Sequence, residues 1–190
     1  MNACRLARLE DAPAIQAIYA PVVRATAISF EYEPPDVAEM ERRMARVLAS
    51  RPWLVYRSGG EVLGYAYATT YRERRAYDWN VEVSVYVRED GRGRGVARHL
   101  YGRLFHLLQA LNYRQVIAGA TLPNVASERL HASFGFERMG VLPRAGYKFG
   151  QWHDVIFWYL PLQVRTSEAQ EPINVNELVK RAEWAWLTKD

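Results

Sequence analysis

The stretch VEVSVYVREDGRGRGVARHLYGRLFHLLQAL, residues 81–111, decides the fold. Val81, Val83, Val85 and Val87 alternate with Glu82, Ser84 and Tyr86, so a strand here has one apolar face and one polar face. Gly91-Arg92-Gly93-Arg94-Gly95 then places three glycines where backbone must bend sharply and approach a ligand without side chains in the way. Behind the loop, Val96, Leu100, Leu104, Leu107, Leu108 and Leu111 recur at helical spacing. Strand, glycine loop and helix in that order make an anion-binding arrangement. The first N–H groups of the helix are free and its dipole favours negative charge, so a phosphate or pyrophosphate is the natural guest. Arg92 and Arg94 reinforce that sign. Neither common nucleotide motif fits, because no Lys followed by Ser or Thr closes the loop, and Val96 and Arg98 stand where a dinucleotide fingerprint needs its third glycine. Taken alone, the loop is equally a plain β-to-α turn with solvated arginines.

Upstream, Arg5 to Leu9 alternates as a short strand, and Asp11 is positioned to cap a helix carrying Ile15, Ile18, Tyr19, Val22 and Val23. Pro34-Pro35 breaks the chain, and Asp36 with Glu39 opens a second helix bearing Val37, Met40, Met44, Val47 and Leu48. Trp53 to Arg57, Ser58-Gly59-Gly60 and Val62 to Thr70 form a β-hairpin. Downstream, Gln115 to Ala120 is a strand and Asn124 caps a helix ending at Gly135. Strands near Phe136 to Leu142 and Val155 to Leu160 are expected to pair antiparallel. The order β, α, α, β, β, β, α, β, α, β, β predicts an α/β fold with a mixed sheet and helices on its faces. After Leu162 the composition turns polar, and Asn174 and Glu177 offer a cap for a further helix bearing Val175, Leu178, Val179, Ala182 and Trp186. The expected division is a domain over 1–162 and a helical extension over 163–190, which either covers its own flank or meets a partner.

With 190 residues, 49% of them hydrophobic, the chain can bury a core without disulfides or a structural metal. Cys4 stands alone, which excludes a disulfide framework and a cysteine metal cluster and points to a reducing cytoplasm. No apolar run reaches the length of a membrane span, and Arg5, Arg8, Glu10 and Asp11 are unlike a signal peptide, so no membrane partner is expected. Lys plus Arg (25) exceed Asp plus Glu (21) by 4. That excess gathers between Arg72 and Arg103, which suits a compact anion better than a duplex, and no nucleic-acid motif accompanies it.

The segment Arg92-x-x-Gly95-x-Ala97, between a strand and a helix, resembles the acyl-CoA pyrophosphate signature of the GNAT N-acetyltransferase superfamily. Residues 76–87 (AYDWNVEVSVYV), 124–136 (NVASERLHASFGF) and 144–158 (RAGYKFGQWHDVIFW) resemble phosphinothricin N-acetyltransferases, and the likeness runs from about Arg5 to Leu160. The resemblance implies the GNAT fold, a mostly antiparallel central sheet splayed at the cofactor site. It implies acetyl transfer from acetyl-CoA, without a metal, to the α-amino group of a small anionic amino acid by direct attack in a ternary complex. It further implies a homodimer. The alternatives are acetylation of a peptide N-terminus or another amine, or a non-catalytic acyl-CoA-binding module.

An activated thioester needs a neutral amine and no enzyme nucleophile, so Cys4 is expected to be inert. Glu82 is the candidate base for the amine's proton; by alternation alone it is also an ordinary carboxylate on a wet face, and the resemblance favours the catalytic role. Asn124, Ser127, Glu128 and His131 fall at i, i+3, i+4 and i+7, a polar stripe opposite Ala126, Leu130 and Phe134. The resemblance brings His131 to the transfer site, as base or acid. It implies cofactor contacts from Val85, Tyr86, Val87, Arg92, Gly93, Arg94, Gly95, Val96, Ala97, Asn124 and Ser127, with main-chain groups of Val85 and Val87 on the pantetheine arm. For the acceptor it implies Arg72, Arg74 and Tyr77 beside Glu82, with Phe30 as an apolar wall and Ser84, Tyr86, Tyr147, His153 and Val155 completing the pocket. Arg72 and Ser84 stand where well-known members of that family carry lysine and threonine.

Overall fold

The computed structural model describes residues 2–162, 168 and 170–189. Strand β1 (Asn2–Leu6) leads through a 3-10 turn to helix α1 (Ala12–Ala25) and then α2 (Val37–Leu48). Strands β2 (Trp53–Ser58), β3 (Glu61–Thr70) and β4 (Asn80–Val87) follow, then α3 (Val96–Ala110), β5 (Gln115–Thr121), α4 (Val125–Ser133), β6 (Glu137–Lys148) and β7 (Gln151–Pro161). The seven strands form one sheet in the order β1-β2-β3-β4-β5-β7-β6. β4 and β5 run parallel, and the other neighbours run antiparallel.

That parallel contact is short. β4 and β5 pair only at Asn80–Glu82 against Gln115–Ile117. Past this point β4 stays with β3 as far as Val87 opposite Gly64, and β5 stays with β7 as far as Thr121 opposite Val155, so the sheet splits. Each face of the sheet has its own core. Val81, Val83, Ala118, Ile156 and Trp158 pack with Leu100, Leu104 and Leu108 of α3. Val55, Tyr65 and Trp53 pack with Ile15, Ile18 and Val23 of α1 and Met40 and Met44 of α2. The alternation of β4 therefore separates its valines, on the α3 face, from Glu82, Ser84 and Tyr86, on the α1/α2 face.

Three local expectations change. The first strand lies at Asn2–Leu6 rather than Arg5 to Leu9, because Arg5 turns inward and the chain leaves the sheet after the Ala7 amide donates to Trp53 O at 2.7 Å. Asp11 does not cap α1 with its side chain. Its carboxylate is forked by Arg5, with Nη1 at 2.7 Å from Oδ2 and Nη2 at 2.9 Å from Oδ1, and it accepts the Arg8 amide at 2.8 Å. An arginine buried to 2% exposure requires such a partner, and that demand outweighs a cap. Asp36, by contrast, accepts from Glu39 N at 2.7 Å as expected.

The third change is in the tail. It forms one short helix, α5 (Val175–Leu178), and a separate 3-10 turn over Ala182–Leu187. Val175, Leu178, Trp184 and Leu187 are buried in the α3-side core, with Val179 and Trp186 partly buried against it and Ala182 exposed, so the tail covers its own domain. Asn174 and Asn176 fasten it to the end of α2 through Ala49 O and Leu48 O, at 2.8 and 3.0 Å. The part of the expected extension at 163–167 and 169 lies outside the described residues. No described helix is long and apolar enough to cross a membrane.

Asp11→Ala strips the buried Arg5 of its carboxylate and is expected to cost about 3–5 kcal/mol. In a thermal melt this is a fall of at least about 6 °C; an unchanged melting temperature would show that the pair adds nothing to the fold.

Candidate active site

The split between β4 and β5 leaves main-chain groups facing open space. Arg88 N donates to Leu63 O at 2.8 Å, which fixes the alternation along β4. The even-numbered residues Glu82, Ser84 and Tyr86 therefore turn their main-chain groups to β3, Val83 spends its N–H on the last rung with β5, and the C=O of Val83 and the N–H and C=O groups of Val85 and Val87 point into the gap. Such an edge offers ladder rungs to an extended ligand arm.

The glycine loop stands beside this edge. Gly93 (φ 70°) and Gly95 (φ 78°) take left-handed conformations, Gly95 as the residue before the first turn of α3. The first hydrogen bond of the helix runs from His99 N to Gly95 O at 2.9 Å, leaving the amides before it free for an anion. Val96 is buried under the turn, Ala97 is half-buried, and Arg92 and Arg94 are exposed. Arg88 belongs instead to the scaffold, tied to Asp90 at 2.6 Å and Glu61 at 2.8 Å. The Arg98 guanidinium lies 5.8 Å from the Phe134 ring centroid, which sets the start of α3 beside α4. On α4, Asn124 Oδ1 accepts from Ser127 N at 3.1 Å, so its carbonyl caps the helix and its amide NH2 is left for a ligand.

On the α1/α2 face, Glu82 is half-buried, and its carboxylate has no hydrogen bond or ion pair among the described residues. Burial raises its pKa above the ordinary carboxylate range. Ser84, one step along the same face, stands opposite Tyr67 of β3. Tyr67 stacks on Trp53 at 4.1 Å, and Tyr86 meets Tyr65 at 5.3 Å and the edge of Tyr19 at 5.1 Å. Side chains on this face thus share a rigid aromatic floor. At the near end of β4, Arg72 and Arg74 are both exposed, and the Arg72 guanidinium lies 5.2 and 5.5 Å from the ring centroids of Tyr71 and Tyr77. Across the split, Val155 and His153 alternate with the buried Ile156 and Trp158, and so lie on the Glu82 face. Phe30 approaches His153 at 6.2 Å, and Tyr147 is exposed at the rim.

His131 is placed differently from its expected stripe. It is 3% exposed and stacks on Trp158 at 4.6 Å, in the α3-side core, whereas Ala126 and Glu128 face solvent. The inner face of α4 has to cover Trp158 and Phe136, and the flat imidazole does so. Glu82 and His131 thus lie on opposite faces of the sheet. His131 Nδ1 is 2.7 Å from Ser127 O, so the proton sits on Nδ1 and Nε2 is the acceptor; Nε2 is buried with no partner among the described residues. Burial lowers the pKa of the ring and keeps it neutral near pH 7. Cys4 is half-buried, and burial pushes its thiol up to about 12, which makes it a poor nucleophile.

Sequence reasoning missed Tyr67 and Lys148. Tyr67 left a signal in the alternation of Tyr65 and Tyr67 along β3, while Lys148 left none, because nothing local marks a lysine that turns inward.

A profile of the Acetyltransferase (GNAT) domain family matches residues 4–157. The chain is 47% identical over 169 residues to a phosphinothricin N-acetyltransferase of Alcaligenes faecalis, covering 88% of this chain and 86% of that one. It is 38% identical over 165 residues to an L-methionine sulfoximine/L-methionine sulfone acetyltransferase of Pseudomonas paraeruginosa, covering 86% of this chain and 96% of that one. The crystal structure of a GNAT superfamily phosphinothricin acetyltransferase from Sinorhizobium meliloti, in complex with acetyl-CoA, superposes with a TM-score of 0.86 at 34% identity, covering 90% of this chain and 95% of that one.

An acid whose pKa is raised by folding stabilises the fold at low pH, and that contribution is lost as pH rises through the raised value. Glu82→Gln is therefore expected to melt no lower than wild type at pH 8, with any advantage fading toward acid pH. A wild type that melted clearly higher at pH 8 would mean a partner, rather than desolvation, governs this carboxylate.

Proposed function

The chain belongs to the GNAT acetyltransferase family, and on that premise we propose that it acetylates the α-amino group of a small anionic amino acid of the phosphinothricin or methionine sulfoximine type. It is an acetyl-CoA-dependent N-acetyltransferase. The observation that carries the choice of acceptor is the company of Glu82, a desolvated carboxylate without a partner among the described residues, on a face whose near end holds the ring-braced Arg72.

The residues along the split suit acetyl-CoA. The open edge at Val85 and Val87 suits the amide-bearing pantetheine arm, and the free amides after Gly93 and Gly95, with Arg92 and Arg94, suit its pyrophosphate. Val96 and Ala97 hold that turn, and Asn124 and Ser127 line the α4 side. When bound, acetyl-CoA supplies an acetyl group already activated as a thioester. The acceptor's amine then attacks directly, and the chain's task is to orient it, remove its proton and polarise the carbonyl. A main-chain N–H of the Val85 to Val87 edge donates to that carbonyl as a fixed dipole.

Glu82 takes the amine's proton, directly or through one water. Burial raises its pKa and so brings it closer to that of the amine it serves. Arg72 and Arg74 hold the acceptor's anionic groups, and the tyrosine rings fix the Arg72 fork before binding. Tyr77, Ser84, Tyr86, Phe30 and Val155 shape the rest of the pocket. His131 is the second candidate for proton handling: Nε2 is its acceptor nitrogen, buried without a partner among the described residues, on the face of the sheet opposite Glu82.

This reading also takes 1–162 as the catalytic domain with 163–190 as its extension, and it places the enzyme in the cytoplasm as a homodimer. Support for the dimer is β6, an edge strand with Met139 and Leu142 each 54% exposed.

In a thiol-release assay with a panel of amino acids, Glu82→Gln is expected to lower turnover by about 10² to 10⁴ with acetyl-CoA affinity nearly intact. Unaffected turnover removes Glu82 from the mechanism. Arg72→Ala is expected to raise the acceptor's KM about tenfold or more while the KM for acetyl-CoA stays within about twofold; equal effects on both reject it as an acceptor ligand.

A further inference from the structure

The open end of the cleft carries a tie that the chemistry above does not use. Pairing at Asn80–Glu82 holds β4 to β5 at one end only, so something else must set the distance between the two halves at the other. The segment 26–33, after α1, spans that end. On the β4 side, Ser29 Oγ lies 2.8 Å from the Tyr19 hydroxyl, whose ring packs against Tyr86. On the far side the segment is fastened to the β6–β7 hairpin at three points. Lys148, 2% exposed, donates from Nζ to Val23 O at 2.7 Å, Thr26 O at 2.9 Å and Ser29 O at 2.7 Å, so all three ammonium donors are used. Tyr32 donates its hydroxyl to Tyr147 O. The Phe30 ring lies on Gly146 so closely that an added Cβ would stand 2.3 Å from its Cε2.

Filling space alone does not call for a lysine. An ammonium buried on neutral carbonyls carries a desolvation cost that a methionine of similar length avoids, so its use here points to the three carbonyls it gathers. They belong to the last turns of α1 and to the segment that presents Phe30. We propose that Lys148 is a positioning residue for acceptor binding: it holds 26–33 across the open end of the cleft and so sets Phe30 against the acceptor, with Gly146 fixing how closely the ring seats. The proposal rests on the reading that Phe30 faces the acceptor.

Two variants test it, Lys148→Met and Gly146→Ala, by amide hydrogen exchange and by steady-state kinetics with the best amino acid of the panel. Lys148→Met is expected to exchange faster over 26–33 and to raise the acceptor's KM about tenfold, with the KM for acetyl-CoA within about twofold. Gly146→Ala, which keeps the ammonium and needs no unusual backbone angle, is expected to melt like wild type and still raise the acceptor's KM about fivefold. Unchanged exchange over 26–33 in Lys148→Met overturns the tie, and equal shifts in both KM values overturn the positioning role. Should Lys148→Met fail to fold, an unchanged acceptor KM in Gly146→Ala overturns the proposal by itself. A wild type inert toward every amino acid rejects the acceptor reading instead, and exchange over 26–33 still judges the tie.

Discussion

Two strands that begin as parallel partners and then part company organise this molecule. β4 keeps its full ladder with β3, β5 keeps its full ladder with β7, and the contact between them ends after Glu82. Main-chain groups that would close a continuous sheet are left open on β4, and buried or half-buried backbone requires partners. The sheet therefore holds a ready-made slot for an extended chain, and the glycine loop and the first turn of α3 stand at its mouth. Both features follow from one local decision, that β4 bends away with the loop that leads into α3.

The two faces of the sheet then divide the work. The α3 face is almost wholly apolar, and its polar member, His131, is accommodated by stacking on Trp158 and by a hydrogen bond to the carbonyl one helical turn back. The α1/α2 face carries a stack of aromatic rings with polar tips, over which Glu82 and Ser84 are displayed. A face of stacked tyrosines keeps Glu82 partly out of water beside a rigid wall. The network of Tyr19, Glu31 and Arg43 extends this rigidity into α2, with Arg43 forking Glu31 at 2.8 and 3.1 Å.

The tail has a plainer part. Val175, Leu178, Trp184 and Leu187 close the apolar flank of α3, and the asparagines at its start bind the carbonyls that end α2. Its tryptophans are thereby committed within the chain. Of the apolar groups left outward, Met139, Leu142, Phe149 and Trp152 gather on the β6 edge and the hairpin tip.

Order and type of the main elements, the α3 stripe and the glycine turn before α3 were legible in the sequence, since each is written in contacts between residues a few positions apart: alternation in β4, a 3.6-residue period in α3, glycines at the bend. Alternation put Glu82 on the polar face of β4, but choosing it as a base rested on the family resemblance. Tertiary structure alone decided the rest. Whether Asp11 caps a helix or neutralises Arg5 depends on where β1 runs. Whether His131 lies in a wet stripe or under a tryptophan depends on which face of α4 meets the sheet, and periodicity leaves that choice open. Lys148 reaches carbonyls about 120 residues away. A one-dimensional pattern reports how a segment folds on itself; the partner of a buried charge is set by the packing of segments that the pattern treats as independent.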